Sequence, residues 1–299
     1  MPTLRDIRSR ISGIKNTQKI TKAMKMVSAA KLRRAQDAIV SARPYARKLN
    51  ELLQHLSGKV DLTANPLFAP RPVEKLLVVV VTADRGLCGA FNSNIIKTAV
   101  THLRTTNKET FDAGKIDLLC IGRKGAEFFS KRQYAIAGKY VGIFGGLKFS
   151  VAQTITNEVI QKFLRGECDR VEVIYNEFKS IMRQHVVVEQ LLPVPADETA
   201  APASTHKPKS LVDYIYEPSQ EAILASLLPK HFNFQMWRML LESNAAEQGA
   251  RMTAMDSATT NASDLIRDLQ LSYNNARQAS ITKELLEIVA GAEALRKAG

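Results

Sequence analysis

The chain has 299 residues, 45% of them apolar, enough to build a packed core in one large domain or two modest ones. Its three cysteines, Cys88, Cys120 and Cys168, form no C-x-x-C pair, and its five histidines are scattered without an i,i+4 partner, which argues against a disulfide framework, a thiolate metal site or a zinc site. The formal charge of +13 gathers at one end: residues 1–60 carry fourteen basic against three acidic side chains, while residues 209–299 carry nine against eleven.

No run of about 18 uncharged apolar residues occurs, and the N-terminus passes straight into charged sequence without an apolar h-region. A membrane span and a secretory signal are therefore not expected, and the thiols are expected to be reduced in a cytosolic setting. A basic arm suits nucleic acid, anionic lipid, an acidic protein surface, or merely a solvated helix face. Charge alone leaves all four open.

From Leu4 the apolar positions Leu4, Ile7, Ile11 and Ile14 step by three and four. The pattern resumes after a phase slip near Thr17 at Ile20, Met24 and Val27, then runs through Ala35, Ala38, Ala42, Tyr45, Leu49, Leu52 and Leu56. The spacing predicts a helix of about 50 residues, roughly 75 Å long at 1.5 Å per residue, with a bend at Pro44 where the ring removes a hydrogen bond.

The period then changes. "KLLVVVVTA" (75–83) is a continuous β-branched run, the signature of a strand buried on both faces of a parallel sheet. Helical "NSNIIKTAVTHLRT", strand "IDLLCIG", helical "RKGAEFFSKR" and "SVAQTITNEVIQKFLRG", and strand "RVEVIYNEF" follow, with "QHVVVEQLLPV" able to return antiparallel at an edge. This is an α/β domain of Rossmann-like alternation over 70–207, closed by a Pro, Ala and Thr-rich loop, "PVPADETAAPASTHKPKS".

Where nucleotide folds place a phosphate loop, "TADRGLCGAFNSN" (82–94) offers glycines in neither the Walker nor the dinucleotide spacing. Gly86 and Gly89 read better as turn residues, with Asp84 and Arg85 making local hydrogen bonds or a partner contact. "GRKG" (122–125) invites the same guess and the same caution. No G-x-S-x-G, H-E-x-x-H or carboxylate pair placed for acid/base work appears, so no catalytic residue, cofactor site or metal site is assigned.

The last segment repeats the first design. Ala258, Ala262, Leu265, Leu269, Ser272, Ala276 and Ala279 step by four and three, and helical patterning reaches upstream past Pro229, so the C-terminal helix approaches 80 residues. The economical arrangement pairs helix 1–60 antiparallel with helix 209–299 and inserts the α/β domain between them. Small seam residues bury little area, at about 25 cal/mol per Å². At the end, Ile281, Leu285, Leu286, Ile288, Val289, Ala292 and Leu295 cover half the helix circumference, wider than one partner helix covers. That stripe suits either a core helix or a tip lodged in an apolar socket of another protein.

"NTQKITKAMKMVSAAKLRRAQ", "TADRGLCGAFNSN" and "YNNARQASITKELLEIVAGAEAL" together resemble the γ subunit family of F-type ATP synthases, in order and over essentially the whole chain. The resemblance implies an antiparallel coiled coil of the terminal helices acting as a central rotor shaft, one copy per complex. It would have no catalysis of its own and would couple proton-driven rotation of the c-ring to conformational change in an α₃β₃ hexamer. By position in the motifs it implies contacts to the hexamer through Lys22, Met24 and Lys25 and through Arg277, Gln278, Ser280 and Thr282. Met24 also lies on the seam and Ser280 and Thr282 can be plain surface residues. It implies a foot in "LVDYIYEP", where Tyr214, Tyr216 and Glu217 would meet the c-ring and the ε subunit, a sheet-edge cap being the plainer role. The implied location is peripheral, on the cytoplasmic face of a bacterial inner membrane, with no direct insertion and no nucleic acid.

Two other classes compete. A nucleic-acid binder would explain the basic arm, although Tyr45 is the one aromatic residue among 1–60. A nucleotide-dependent α/β enzyme would explain the sheet, provided the glycine loop holds phosphate.

Overall fold

The computed structural model describes residues 3–57, 66–69, 71–180, 184–194, 217 and 219–298. The chain divides into two units, Met1–Ser28 with Met252–Gly299, and Ala29–Arg251. Two helices enter both: α1, Leu4–Ser57, and α6, Gln220–Ala298, each continuing through an internal proline, Pro44 and Pro229.

The second unit contains the sheet. Its strands are β1 (Leu76–Val81), β2 (Ile116–Ile121), β3 (Ile136–Tyr140), β4 (Arg170–Phe178) and β5 (Gln184–Leu192), in the order β3-β2-β1-β4-β5. The first four are parallel, and β5 returns antiparallel to β4 from Val171↔Leu192 to Phe178↔Gln184. The crossover helices are α2 (Phe91–Thr105), the short α3 (Lys108–Asp112), α4 (Arg123–Lys131) and α5 (Phe149–Leu164).

Strand β1 shows why the apolar run had to be continuous. Leu77, Val79 and Val81 enter a core with Ile155, Val159 and Phe163 of α5 and with Leu228, Phe232 and Met236 of α6. Leu76, Val78 and Val80 enter the opposite core with Ile95, Ala99 and Leu103 of α2 and Phe129 of α4. A strand with helices on both faces exposes neither set to water, so alternation is absent. Strand β3 was not legible: "IAGKY" is short, half-exposed at a sheet edge, and interrupted by Gly138.

The glycines of "GRKG" serve packing. Gly122 has φ 91°, and a Cβ there would overlap the Thr82 carbonyl. Gly125 lets its own N–H donate to Thr82 Oγ1 at 2.8 Å.

Candidate functional site

In the first unit, α1 and α6 run antiparallel and meet through polar pairs. Gln18 Nε2 donates to Ser263 Oγ at 2.6 Å, the Thr21 and Thr259 hydroxyls lie 2.8 Å apart, and Lys25 Nζ meets Asp256 Oδ1 at 2.5 Å. These contacts revise the seam in two places. The sequence pattern put a phase slip near Thr17 and used Ile20 and Val27, but both of these face outward, 61% and 55% exposed. Gln18, Thr21, Lys25 and Ser28 of α1 are covered and keep the three-and-four stepping unbroken, and Met24 beside them is half-buried as expected. On α6, Ile266 and Tyr273 occupy the seam where Leu265 and Ser272 were expected. On α1, hydroxyls and an ion pair satisfy partners across the interface, so a pattern keyed to apolar side chains picks neighbouring residues.

The register sets the levels of the predicted contact residues. Lys22 is exposed and Met24 and Lys25 are half-buried, and Thr21 lies opposite Thr259. Arg277 is further along α6 by about 27 Å at 1.5 Å per residue, so the two groups form two separate levels rather than one cluster. By the same register Leu4, the first residue of α1, stands beside Arg277. Gln278 and Thr282 are exposed, Ser280 is half-buried, and Thr282 Oγ1 donates back to the Gln278 carbonyl at 2.9 Å. Beyond this level α6 has no α1 residue to meet. Ile281, Leu285, Leu286, Ile288 and Val289 are all at least half exposed, a run of apolar surface at the end of the helix. Glu217 is exposed; Tyr214, Tyr216 and the 196–210 loop lie outside the described residues.

The second unit holds features that sequence reasoning missed. Asp84 closes the C-terminal end of the sheet: its Oδ1 accepts the N–H groups of Arg123 at 3.1 Å and Gly142 at 2.7 Å, and its Oδ2 accepts that of Phe144 at 3.4 Å. A carboxylate of the chain itself thus sits at the α4 N-terminus and satisfies the Arg123 N–H there. Directly after it, Leu87 protrudes, 67% exposed and held at φ 63°. The loop that carries it is tied down on both sides. Asn92 Oδ1 accepts from Ala83 N–H at 2.9 Å, and Arg251 Nη1 donates to the Gly86 carbonyl at 2.5 Å while its Nη2 holds Glu247 at 2.6 Å. Burial pushes the Glu247 carboxyl up, against the pull of Arg251. An exposed leucine in the left-handed region, fixed by a nearly buried arginine, marks a prepared protrusion. The only sequence hint was "RGLCG" itself.

A second tie joins α6 to the sheet. Arg238 reaches Glu189 of β5 at 2.5 Å, the Tyr175 hydroxyl of β4 at 3.2 Å and Glu242 at 3.4 Å. Next to it, burial and the Arg238 charge lower the His231 pKa to about 4. Among the described residues no group of three or more His, Cys, Asp or Glu could hold a metal ion.

Comparison with known proteins places this architecture. A family model described as ATP synthase matches residues 3–295. The chain is 55% identical to the ATP synthase gamma chain of Chlorobaculum parvum over 298 residues, covering 99% of this chain and 100% of the relative. It is 54% identical to that of Chloroherpeton thalassium over 302 residues, covering 99% of each. Among solved structures, the central stalk and c-ring of the Tetrahymena thermophila mitochondrial ATP synthase include a chain 27% identical with a TM-score of 0.58, covering 80% of this chain and 99% of that one. The rotor of the Euglena gracilis mitochondrial ATP synthase gives a TM-score of 0.65 at 21% identity, over 93% and 98% of the two chains. The chain belongs to the ATP synthase gamma chain family.

Proposed function

We infer that this chain is the central rotor shaft of an F-type ATP synthase, present once per complex. It turns with a c-ring and drives an α₃β₃ hexamer through its catalytic states, and it performs no chemistry of its own. The observation that carries the reading is the end of α6, where a helix continues past its partner with its large apolar side chains in water. Such a surface is stable in a cell only when another protein covers it. An apolar sleeve at the centre of the hexamer is the cover we assign.

A shaft moves a catalytic subunit only by contacting its states with different free energies. We assign two levels of contact. The lower comprises Lys22, Met24 and Lys25, and the upper Arg277, Gln278, Ser280 and Thr282. Lys22 and Arg277 are exposed and form no ion pair among the described residues, so they are free to meet acidic loops of the hexamer through charge-assisted hydrogen bonds. Lys25 must share its charge with Asp256. Leu87 supplies a third point of contact, in keeping with its fixed, outward position. For the foot we assign Glu217 with Tyr214 and Tyr216 to the c-ring and the ε subunit.

The five strands among the described residues fall between Leu76 and Leu192, which supports an α/β domain at 70–207 between a helix at 1–60 and a helix at 209–299. We place the chain as a peripheral subunit on the cytoplasmic face of a bacterial inner membrane, a reading supported by its bacterial ATP synthase gamma chain relatives; among the described residues no helix is long and apolar enough to cross a membrane. The glycine spacing of 82–94, neither Walker nor dinucleotide, weighs against the nucleotide-enzyme alternative. The full-length family match leaves nucleic-acid binding without support.

The test is native mass spectrometry of complexes purified through a tag on this chain from its own cells. One copy with a hexamer of two larger nucleotide-binding subunits and ATPase activity is the expected result. Recovery of the chain alone, or with RNA that dissociates as salt is raised, would overturn the reading.

A further inference from the structure

The α/β domain has a cleft of about 520 Å³ at the end of the sheet where β2 and β3 begin, far along the strands from Asp84. Its size lies within the range of small-molecule sites, about 300–1,000 Å³. The buried Ile116 and Leu118 of β2 form its floor, Phe111 and Tyr134 stand half-buried in its walls with ring centroids 5.9 Å apart, and Arg104 and Arg132 are exposed at its rim.

Arg104 and Arg132 form no ion pair among the described residues, whereas Arg170 of the same domain holds Glu172. Arg132 is nevertheless held in place, its guanidinium lying over the Phe128 ring at 3.7 Å from the centroid. That contact occupies the face of the guanidinium and leaves its in-plane N–H donors free, the edge that recognises carboxylate and phosphate. The turn between α4 and β3 places Arg132 and Tyr134 around Gln133, whose φ is 58°.

Unpaired cationic donors above an apolar and aromatic floor suit one class of ligand. We propose that this cleft binds a small organic anion, with its phosphate or carboxylate held by Arg104 and Arg132 and its aromatic or short aliphatic body against Phe111, Tyr134 and Ile116. A bare inorganic anion would leave the floor in water, and a neutral molecule would gain no charge-assisted bond from the two guanidinium groups. The site is independent of the shaft assignment, because none of its residues belongs to the proposed hexamer or c-ring contacts.

Titration calorimetry on the full chain with phenyl phosphate, inorganic phosphate and benzyl alcohol tests it. The expected result is saturable binding of one phenyl phosphate per chain, with inorganic phosphate and benzyl alcohol each at least about tenfold weaker. Phenyl phosphate should also slow phenylglyoxal modification of Arg104 and Arg132, read by peptide mass spectrometry. Arg104→Gln and Arg132→Gln alter exposed side chains, so circular dichroism should be unchanged while affinity falls about tenfold for each. Absence of saturation, equal affinity for phenyl and inorganic phosphate, or unchanged affinity in the Arg104→Gln/Arg132→Gln variant would overturn the proposal.

Discussion

Arg251 is the residue on which the protruding loop depends. It is 8% exposed, and it satisfies both the buried Glu247 and the Gly86 carbonyl. Removing it strands a carboxylate in a place that already resists ionisation. Arg251→Ala is expected to cost about 3–5 kcal/mol in chemical denaturation, and the paired variant Arg251→Met/Glu247→Leu should recover most of that loss. His231 gives a second residue-scale prediction. Its folded pKa is about 4 against an ordinary 6.5, so the unfolded chain binds the proton first as pH falls. The stabilisation is complete above about pH 6.5 and is lost progressively as pH falls towards 4, amounting to about 3 kcal/mol. Thermal melts across that window should show the slope, and His231→Phe should flatten it. The glycine loop is instructive at this scale. Its spacing was legible as something other than a phosphate loop, but nothing in "TADRG" announced that Asp84 would cap α4 and gather Gly142 and Phe144 from distant parts of the chain.

The helix pair of the first unit is held by contacts of modest worth. Lys25 and Asp256 are 41% and 56% exposed, and ion pairs of that kind contribute at most about 1 kcal/mol. Lys25→Ala should therefore shift the unfolding midpoint of the chain only slightly. If ATP synthesis by the assembled complex falls several-fold with that small change, the lysine acts on a partner; an effect no larger than the stability change assigns it to the helix pair alone. The extents of the elements were readable because they rest on local signals. The run "LLVVVV" and the long three-and-four stepping do not depend on what lies opposite. The side facing the partner was less readable. Gln18 and Thr21 look like surface residues until the hydroxyls of α6 are set against them, and β3 has no pattern of its own because its burial comes from β2, α4 and α5.

For the molecule as a whole, exposed apolar surface at the α6 end sets how it behaves alone. Leu285, Ile288 and Val289 support no core, being 58%, 68% and 56% exposed. Replacing all three with serine is expected to lower the stability of the isolated chain by no more than about 0.5 kcal/mol per site, since mostly exposed side chains lose little burial. The same variant should reduce self-association by sedimentation velocity and lower the yield of assembled hexamer. A large fall in chain stability would mean that these residues pack within the chain itself.

The sequence by itself determined every strand but β3, the antiparallel pairing of the two ends, the two-faced sheet and the family, because periodicity, β-branching and motif order are properties of the chain alone. Tertiary structure decided the levels of Lys22 and Arg277, the polar seam, the Asp84 cap, the Leu87 protrusion and the two-arginine cleft. The seam and the cap depend on which groups the fold brings within about 3 Å of one another, the rest on which residues the fold leaves in water, and contacts between residues far apart in sequence leave no periodic trace in it.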